Sequence, residues 1–121
     1  MKKKVEKTEI EKRLKNYILN SVMIKNYEIE LCVAESKGYS DEKIRKIKEK
    51  KDILKAENDI LDNAISILSY PEKKILKKLY IDKDKIGMNY IAEELGISYV
   101  WAMKLKKRAL EKIDKIVNSK L

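Results

Sequence analysis

Apolar residues recur along much of this chain at alternating spacings of four and three, and two long stretches share polar interruptions at matching places. In the first stretch Ile10, Leu14, Tyr17, Ile24 and Leu31 keep the rhythm, with Ser21 and Glu28 in the two vacant seam positions. In the second, Ile44, Ile47, Leu54, Leu61, Ile65 and Leu68 keep it, with Lys51 and Asn58 in the gaps. That period belongs to helices packed along a seam. With no Pro or Gly between Val5 and Ser36, the pattern predicts one long helix ending before Gly38. Ser40-Asp41-Glu42 supplies a cap and two acids for a second helix reaching about Ser69.

If the chain doubles back near Tyr39, the two stripes face each other as an antiparallel hairpin, each helix on the order of 40 Å long. The layers then pair Leu31 with Ile47, Glu28 with Lys51, Ile24 with Leu54, Ser21 with Asn58, Tyr17 with Leu61, Leu14 with Ile65, and Ile10 with Leu68. Polar meets polar at both interruptions, which costs stability and fixes register. Packing of the same stripes against another copy is the alternative. Further apolar residues off the seam, Ile18, Val22, Ile29, Val33, Ile53, Ile60 and Ile67, widen the stripe beyond what two helices cover. The C-terminal part, a second subunit or another protein must pack there.

Tyr70-Pro71 marks a boundary, because proline disfavours the α region in the residue before it and is tolerated in a first helical turn. A helix is expected from Pro71 to about Ile81 with Ile75, Leu76 and Leu79 inward, then a polar connection from Asp82 to Gly87. Met88, Ile91, Ala92 and Leu95 next share one helical face, Gly96 suits a left-handed helix end, and Ser98 is placed to cap a final helix from Tyr99 to near Val117. In that last helix Ala102, Leu105, Ala109 and Ile113 return to one side. Beyond it, Asn118 to Leu121 is expected to fray. A short helix, a glycine turn and a more basic helix make the layout of a helix-turn-helix.

The segment from Tyr70 to Ile113 resembles the region-four domain of bacterial sigma factors. The resemblance lies in the Pro71-Glu72 opening, Ile75-Leu76, the run Ile91-Ala92-Glu93-Glu94-Leu95-Gly96-Ile97-Ser98, and Lys107-Arg108-Ala109-Leu110-Glu111-Lys112-Ile113. Behind an N-terminal helical segment, in a chain of this size, it is similar to the RinA/ArpU-type late-gene activators of phages and prophages. The apolar pattern predicts an all-α fold with a long antiparallel helical hairpin over 1–69, and the resemblance implies that residues 70–121 form a compact sigma-region-four-like helix-turn-helix domain. It also implies double-stranded DNA as partner, with RNA polymerase contact or homodimer formation through the hairpin. The chain departs from the sigma pattern at Tyr99, Val100, Trp101 and Met103, where Arg and Glu are usual, so the family's target preference does not carry over.

Composition sharpens this picture. The 121 residues carry 40% charged residues, three glycines, one proline and a formal net charge of +9, which favours helices and a polyanionic partner. Residues 71–121 hold 13 Lys/Arg against 7 Asp/Glu, a net of +6, whereas residues 1–70 hold 16 against 13, a net of +3. A solvated lysine-rich surface would give the same total. Cys32 is the lone cysteine and there is no histidine, so neither an intrachain disulfide nor a Cys/His metal cluster is expected, and no cofactor. No nucleophile elbow or glycine-rich phosphate loop is present, and adjacent Glu93 and Glu94 diverge around their helix, so an enzyme is not expected. Without an apolar run of membrane length or a secretory leader, the expected place is the cytoplasm, with no membrane partner.

A recognition helix needs a face free of core duties. The candidate DNA-binding residues are Ser98 at the cap, Tyr99 at the helix entry, and Val100, Trp101, Met103 and Lys104 beyond it. Lys106, Lys107 and Arg108 are suited to phosphates. Lys104 is the first candidate for guanine O6 and N7, and Val100 or Met103 for thymine methyls. Trp101 has a structural alternative, packing against the hairpin. Two other readings stay open: a small-terminase-like packaging protein that forms a ring on DNA, and an interaction adaptor that has lost DNA binding.

Overall fold

The structure, a computed structural model, describes residues 2–82, 84 and 86–118, with side chains from Glu9 onward. The chain is all-α. Helix α1 (Lys2–Val33) and α2 (Asp41–Ser66) run antiparallel, followed by α3 (Tyr70–Leu76) with a π-helical end (Lys77–Ile81), α4 (Met88–Leu95) and α5 (Tyr99–Val117). Among the described residues no helix is long and apolar enough to cross a membrane.

Both hairpin helices stop about three residues short of the spans expected from the pattern. At the end of α1 the Ser36 hydroxyl donates to the Val33 carbonyl at 2.9 Å, and the Tyr39 N–H to the Ala34 carbonyl at 3.0 Å, closing a turn with Gly38 at φ +71°. That φ is one a side chain disfavours. Ser40 then caps α2, accepting from the Lys43 N–H at 3.2 Å. At the other end of α2 the Ser66 hydroxyl turns back to the Asn63 carbonyl at 2.6 Å. Leu68, two residues beyond, is nevertheless buried.

The polar layer of the seam forms as expected and recruits one more residue. The Asn58 amide donates to the Ser21 hydroxyl and to the Tyr17 carbonyl, each at 3.1 Å. Asn20, adjacent to the seam and outside the apolar rhythm, donates to the Asn58 carbonyl oxygen at 3.2 Å and to Glu57 at 3.3 Å. Asn20 and Asn58 are 7% and 5% exposed, so each amide replaces water with a protein partner. Tyr17 donates to Asp62 at 2.8 Å, and burial together with that carboxylate pushes its phenol up to about 12. The second polar layer is not realised: Glu28 is exposed, and among the described residues no ion pair joins it to Lys51. Towards the loop the seam residues Ile24, Leu31, Ile44 and Leu54 are only half-buried, so water competes for both charges.

α3 begins as its Pro71-Glu72 opening predicts. Glu72, 2% exposed, accepts from the Ser69 N–H at 3.0 Å, the Ser69 hydroxyl at 2.9 Å and Lys112 of α5 at 2.9 Å. Burial raises the Glu72 carboxyl, and the Ser69 and Lys112 hydrogen bonds outweigh it, holding the group below its ordinary value. The expected continuous α-helix to Ile81 instead widens at Lys77 into a π turn, with the Asp82 N–H donating to the Lys77 carbonyl at 2.7 Å. The wider turn brings Tyr80 inward, 4% exposed, where its hydroxyl donates to Glu11 of α1 at 2.9 Å. Ile75 and Leu76 are inward as expected, and Leu79 is partly buried where two apolar clusters meet. Lys83 and Lys85 of the following connection, and residues 119–121 of the expected fraying tail, lie outside the described residues.

Two clusters make the core. The larger joins Ile10 and Leu14 of α1, Leu61, Ala64 and Ile65 of α2, Leu68, Leu76, Tyr80, and Ala109, Leu110 and Ile113 of α5. The smaller holds Ile75, Ile91 and Leu105, with Met88, Leu95, Ile97 and Ile86 packed against it. α5 belongs to both. The base of the hairpin and the C-terminal helices therefore share buried surface, and that shared surface orients α5.

Candidate nucleic-acid interface

The interface begins with the turn that aims α5. Gly96 ends α4 at φ +68°, and the Gly96 and Ile97 N–H groups reach back to the Glu93 and Ala92 carbonyls at 3.1 and 3.0 Å. This left-handed end satisfies carbonyls that a helix terminus leaves free. Ile97 folds onto the smaller core, and the Ser98 hydroxyl accepts from the Trp101 N–H at 3.1 Å to start α5. Ser98 is thus spent on capping, although it stays exposed.

Once α5 is started, its sides divide by contact. Ala102, Leu105, Ala109 and Ile113 are buried as their spacing predicts, and so is Leu110. Lys106 leans towards α1, its ammonium 3.8 Å from Glu11. On that flank a shallow groove runs between Glu11 and the side chains of Tyr99, Met103 and Leu110. Lys112, on the opposite flank, reaches α3 at Glu72. Between the flanks lies the free arc, with Val100, Lys104, Lys107 and Arg108 all exposed.

Of the nine expected site residues, Val100, Lys104, Lys107 and Arg108 lie on this arc, and Tyr99 and Met103 line the groove on the α1 flank. Ser98 caps the helix, and Trp101 and Lys106 lie to its two sides. Lys106, expected at phosphates, is a strut to α1: its side chain is 22% exposed and lies beside the carboxylate that also accepts from Tyr80. Its helical position, one turn from Met103 and Leu110, puts it on the flank that α1 occupies. Trp101 lies on the opposite side of α5 from Met103 and Lys106, by helical geometry. It is 40% exposed, and the Arg108 guanidinium sits 5.1 Å from its ring centroid. That stacking of cation on ring ties Trp101 to the free arc rather than to the hairpin flank. Val100 is 64% exposed and Tyr99 49%, so the entry of α5 is an open apolar surface.

Four residues that position this surface escape a reading of apolar rhythm alone. Glu11 and Tyr80 dock α1 and the π turn, while Glu72 and Lys112 dock α3. The pattern Ser69-x-x-Glu72 was a usable signal for one of them, being a capping-box spacing. Nothing local marks Glu11. Its partners lie far away in sequence.

Comparison of the chain with protein-family models, curated proteins and solved structures finds no match in any of the three.

Proposed function

We propose that this chain is a sequence-specific regulator of transcription that reads double-stranded DNA through α5, in the manner of a phage or prophage late-gene activator working with RNA polymerase. The observation that carries the reading is the free arc of α5, which presents Val100, Lys104, Lys107 and Arg108 while the opposite side is wholly engaged in the core. An α-helix of that kind fits the major groove with its first turns against the base edges. Lys104 donates to guanine O6 and N7, and Val100 or Met103 meets thymine methyls. Tyr99 stands at the groove edge. Lys107 and Arg108 hold phosphates, which position the helix without reading sequence. The net charge of +9 adds long-range attraction to any duplex.

Selection of bound sites from random duplex DNA, followed by titration of the winning site at several salt concentrations, tests this reading. A discrete motif is expected. Lys104→Ala should weaken the winning site by about 1–3 kcal/mol and relax preference at one base pair. Lys107→Ala should weaken all duplexes alike and reduce the salt slope by about one. Salt-sensitive binding with no motif, in a particle of many subunits, would replace the proposal with a packaging role. No duplex binding at low salt would leave the adaptor reading, which the exposed Tyr99, Val100, Trp101 and Met103 favour as an apolar contact face.

A further inference from the structure

The hairpin carries a second apolar row that nothing among the described residues covers. Ile53 and Ile60 of α2 and Ile67 at its C-cap repeat at the heptad spacing and are 60%, 48% and 67% exposed. They lie to one side of the seam that packs on α1. Extended upstream by the same spacing, the row continues through Lys46 and Tyr39. A row of β-branched side chains repeating every seventh residue suits a helix lying lengthwise against it.

The charge along α2 points to what that helix is. Residues 41–51 hold six Lys/Arg against three Asp/Glu, a net of +3, and residues 52–66 hold one Lys against four Asp/Glu, a net of −3. Two copies of α2 laid antiparallel set the basic half of each against the acidic half of the other. We infer that the row is the interface of a two-fold dimer of this chain, an antiparallel pairing of α2 with α2 that has Ile53 at the axis. In that register Lys46 lays its stem along Ile60 of the second copy, and Tyr39 meets Ile67. Arg45 faces Asp59 along one edge of the row, and Lys50 faces Glu57 along the other. All four are exposed, and among the described residues none is in an ion pair within the chain.

The competing apolar register, with Ile60 at the axis, buries more isoleucine and sets Asp59 against Asp59. It also carries the basic end of α2 past its acidic counterpart towards Lys73 and Lys74. Like charges facing across an interface oppose it. The Ile53 register has one such contact of its own, Asp52 against Asp52 at the axis, but two Arg45–Asp59 and two Lys50–Glu57 pairings offset it. The Ile60 register has no opposite-charge pairing along the edges of α2, so the charge balance favours Ile53 at the axis. Each C-terminal unit then lies beyond Ser66, about 20 Å along the helix from the axis. The inference stands on the hairpin alone and does not depend on DNA binding.

The test uses the full chain with Cys32, which is exposed, replaced by serine. Single cysteines at Ile53 and at Ile60 are compared under mild oxidation and by sedimentation. Ile53→Cys should convert to a disulfide-linked dimer, Ile60→Cys should not, and a mixture of Lys46→Cys with Ile60→Cys should yield the mixed dimer. Without cross-linking, Ile53→Asp should sediment as a monomer while keeping its helical circular dichroism, since that position is solvent-facing within one chain. Arg45→Glu should raise the dimer Kd about tenfold, the two symmetry-related contacts each contributing, and adding Asp59→Arg should restore it. A wild-type chain that stays monomeric at high micromolar concentration overturns the inference. So does equal or faster cross-linking at Ile60.

Discussion

Glu72 shows how much a single side chain does in this molecule. Its carboxylate caps α3 through Ser69 and accepts from Lys112 of α5, all with 2% of its surface in water. A carboxyl held below its ordinary value stabilises the fold fully above its unfolded-state value of 4.5, and that contribution disappears as pH falls through the lower folded value. Glu72→Gln keeps the shape and removes the charge. It should cost roughly 1–3 kcal/mol at neutral pH. It should also flatten the loss of stability below pH 4.5, as read by urea titrations across the acid range. An unchanged acid slope would mean that other carboxylates govern it. Asn58 plays a similar part in the hairpin, where both of its amide hydrogens and its carbonyl oxygen are used between α1 and α2. A slip of either helix would leave that amide buried without partners, so one polar residue sets the register for the long apolar seam.

At the scale of elements, α4, its glycine turn and α5 form the part of the fold most nearly written in local sequence. Gly96 sits at φ +68°, and a Cβ built there meets nothing within 4 Å. The cost of Gly96→Ala is therefore conformational rather than steric, about 1–2 kcal/mol for a left-handed alanine. Thermal unfolding should register that loss. If α5 reads duplex DNA as proposed, affinity per folded molecule should be unchanged, because the substitution leaves the direction of α5 intact; a large affinity loss with little destabilisation would mean the turn itself contacts DNA. Apolar periodicity made the start, the inward face and the cap of α5 legible. It could not assign the flanks: Lys106 and Lys107 are neighbours of the same chemistry, and only the position of α1 makes one a strut and leaves the other free. The π turn was illegible for a related reason. Locally, Lys77–Ile81 suits an α-helix, and the wider turn is stabilised by burying Tyr80 against Glu11, a residue of the first helix.

For the whole molecule, the larger core draws on α1, α2, α3, the π turn and α5 at once. Tyr70-Pro71 divides the chain in sequence, and no gap in the packing follows it. Leu14, fully buried where α1 meets α2 and α5, tests how far that coupling goes. Leu14→Ala should cost about 2–5 kcal/mol. Near-ultraviolet signals from Trp101 in the C-terminal part and far-ultraviolet helicity dominated by the hairpin should then fall together in one transition. Separate midpoints would show two independently stable units. An isolated C-terminal fragment would expose Leu76, Tyr80, Leu110 and Ile113, and is expected to be partly unfolded alone.

Residue order alone was enough to place five helical segments, the seam between α1 and α2 with its Ser21–Asn58 layer, and the inward face of α5. Those features depend on residues within a few turns of one another, or on two stripes joined by one short loop, and periodicity records such relations directly. Tertiary structure alone decided which charges are spent inside the molecule and which face outwards. Lys106, Lys112, Glu11 and Glu72 look like ordinary surface residues until distant helices meet, because an ion pair depends on distance in space and leaves no spacing in the chain. The same holds for Ile53, Ile60 and Ile67. Their rhythm showed that something must lie against them, and only the assembled fold showed that nothing else in the described chain does.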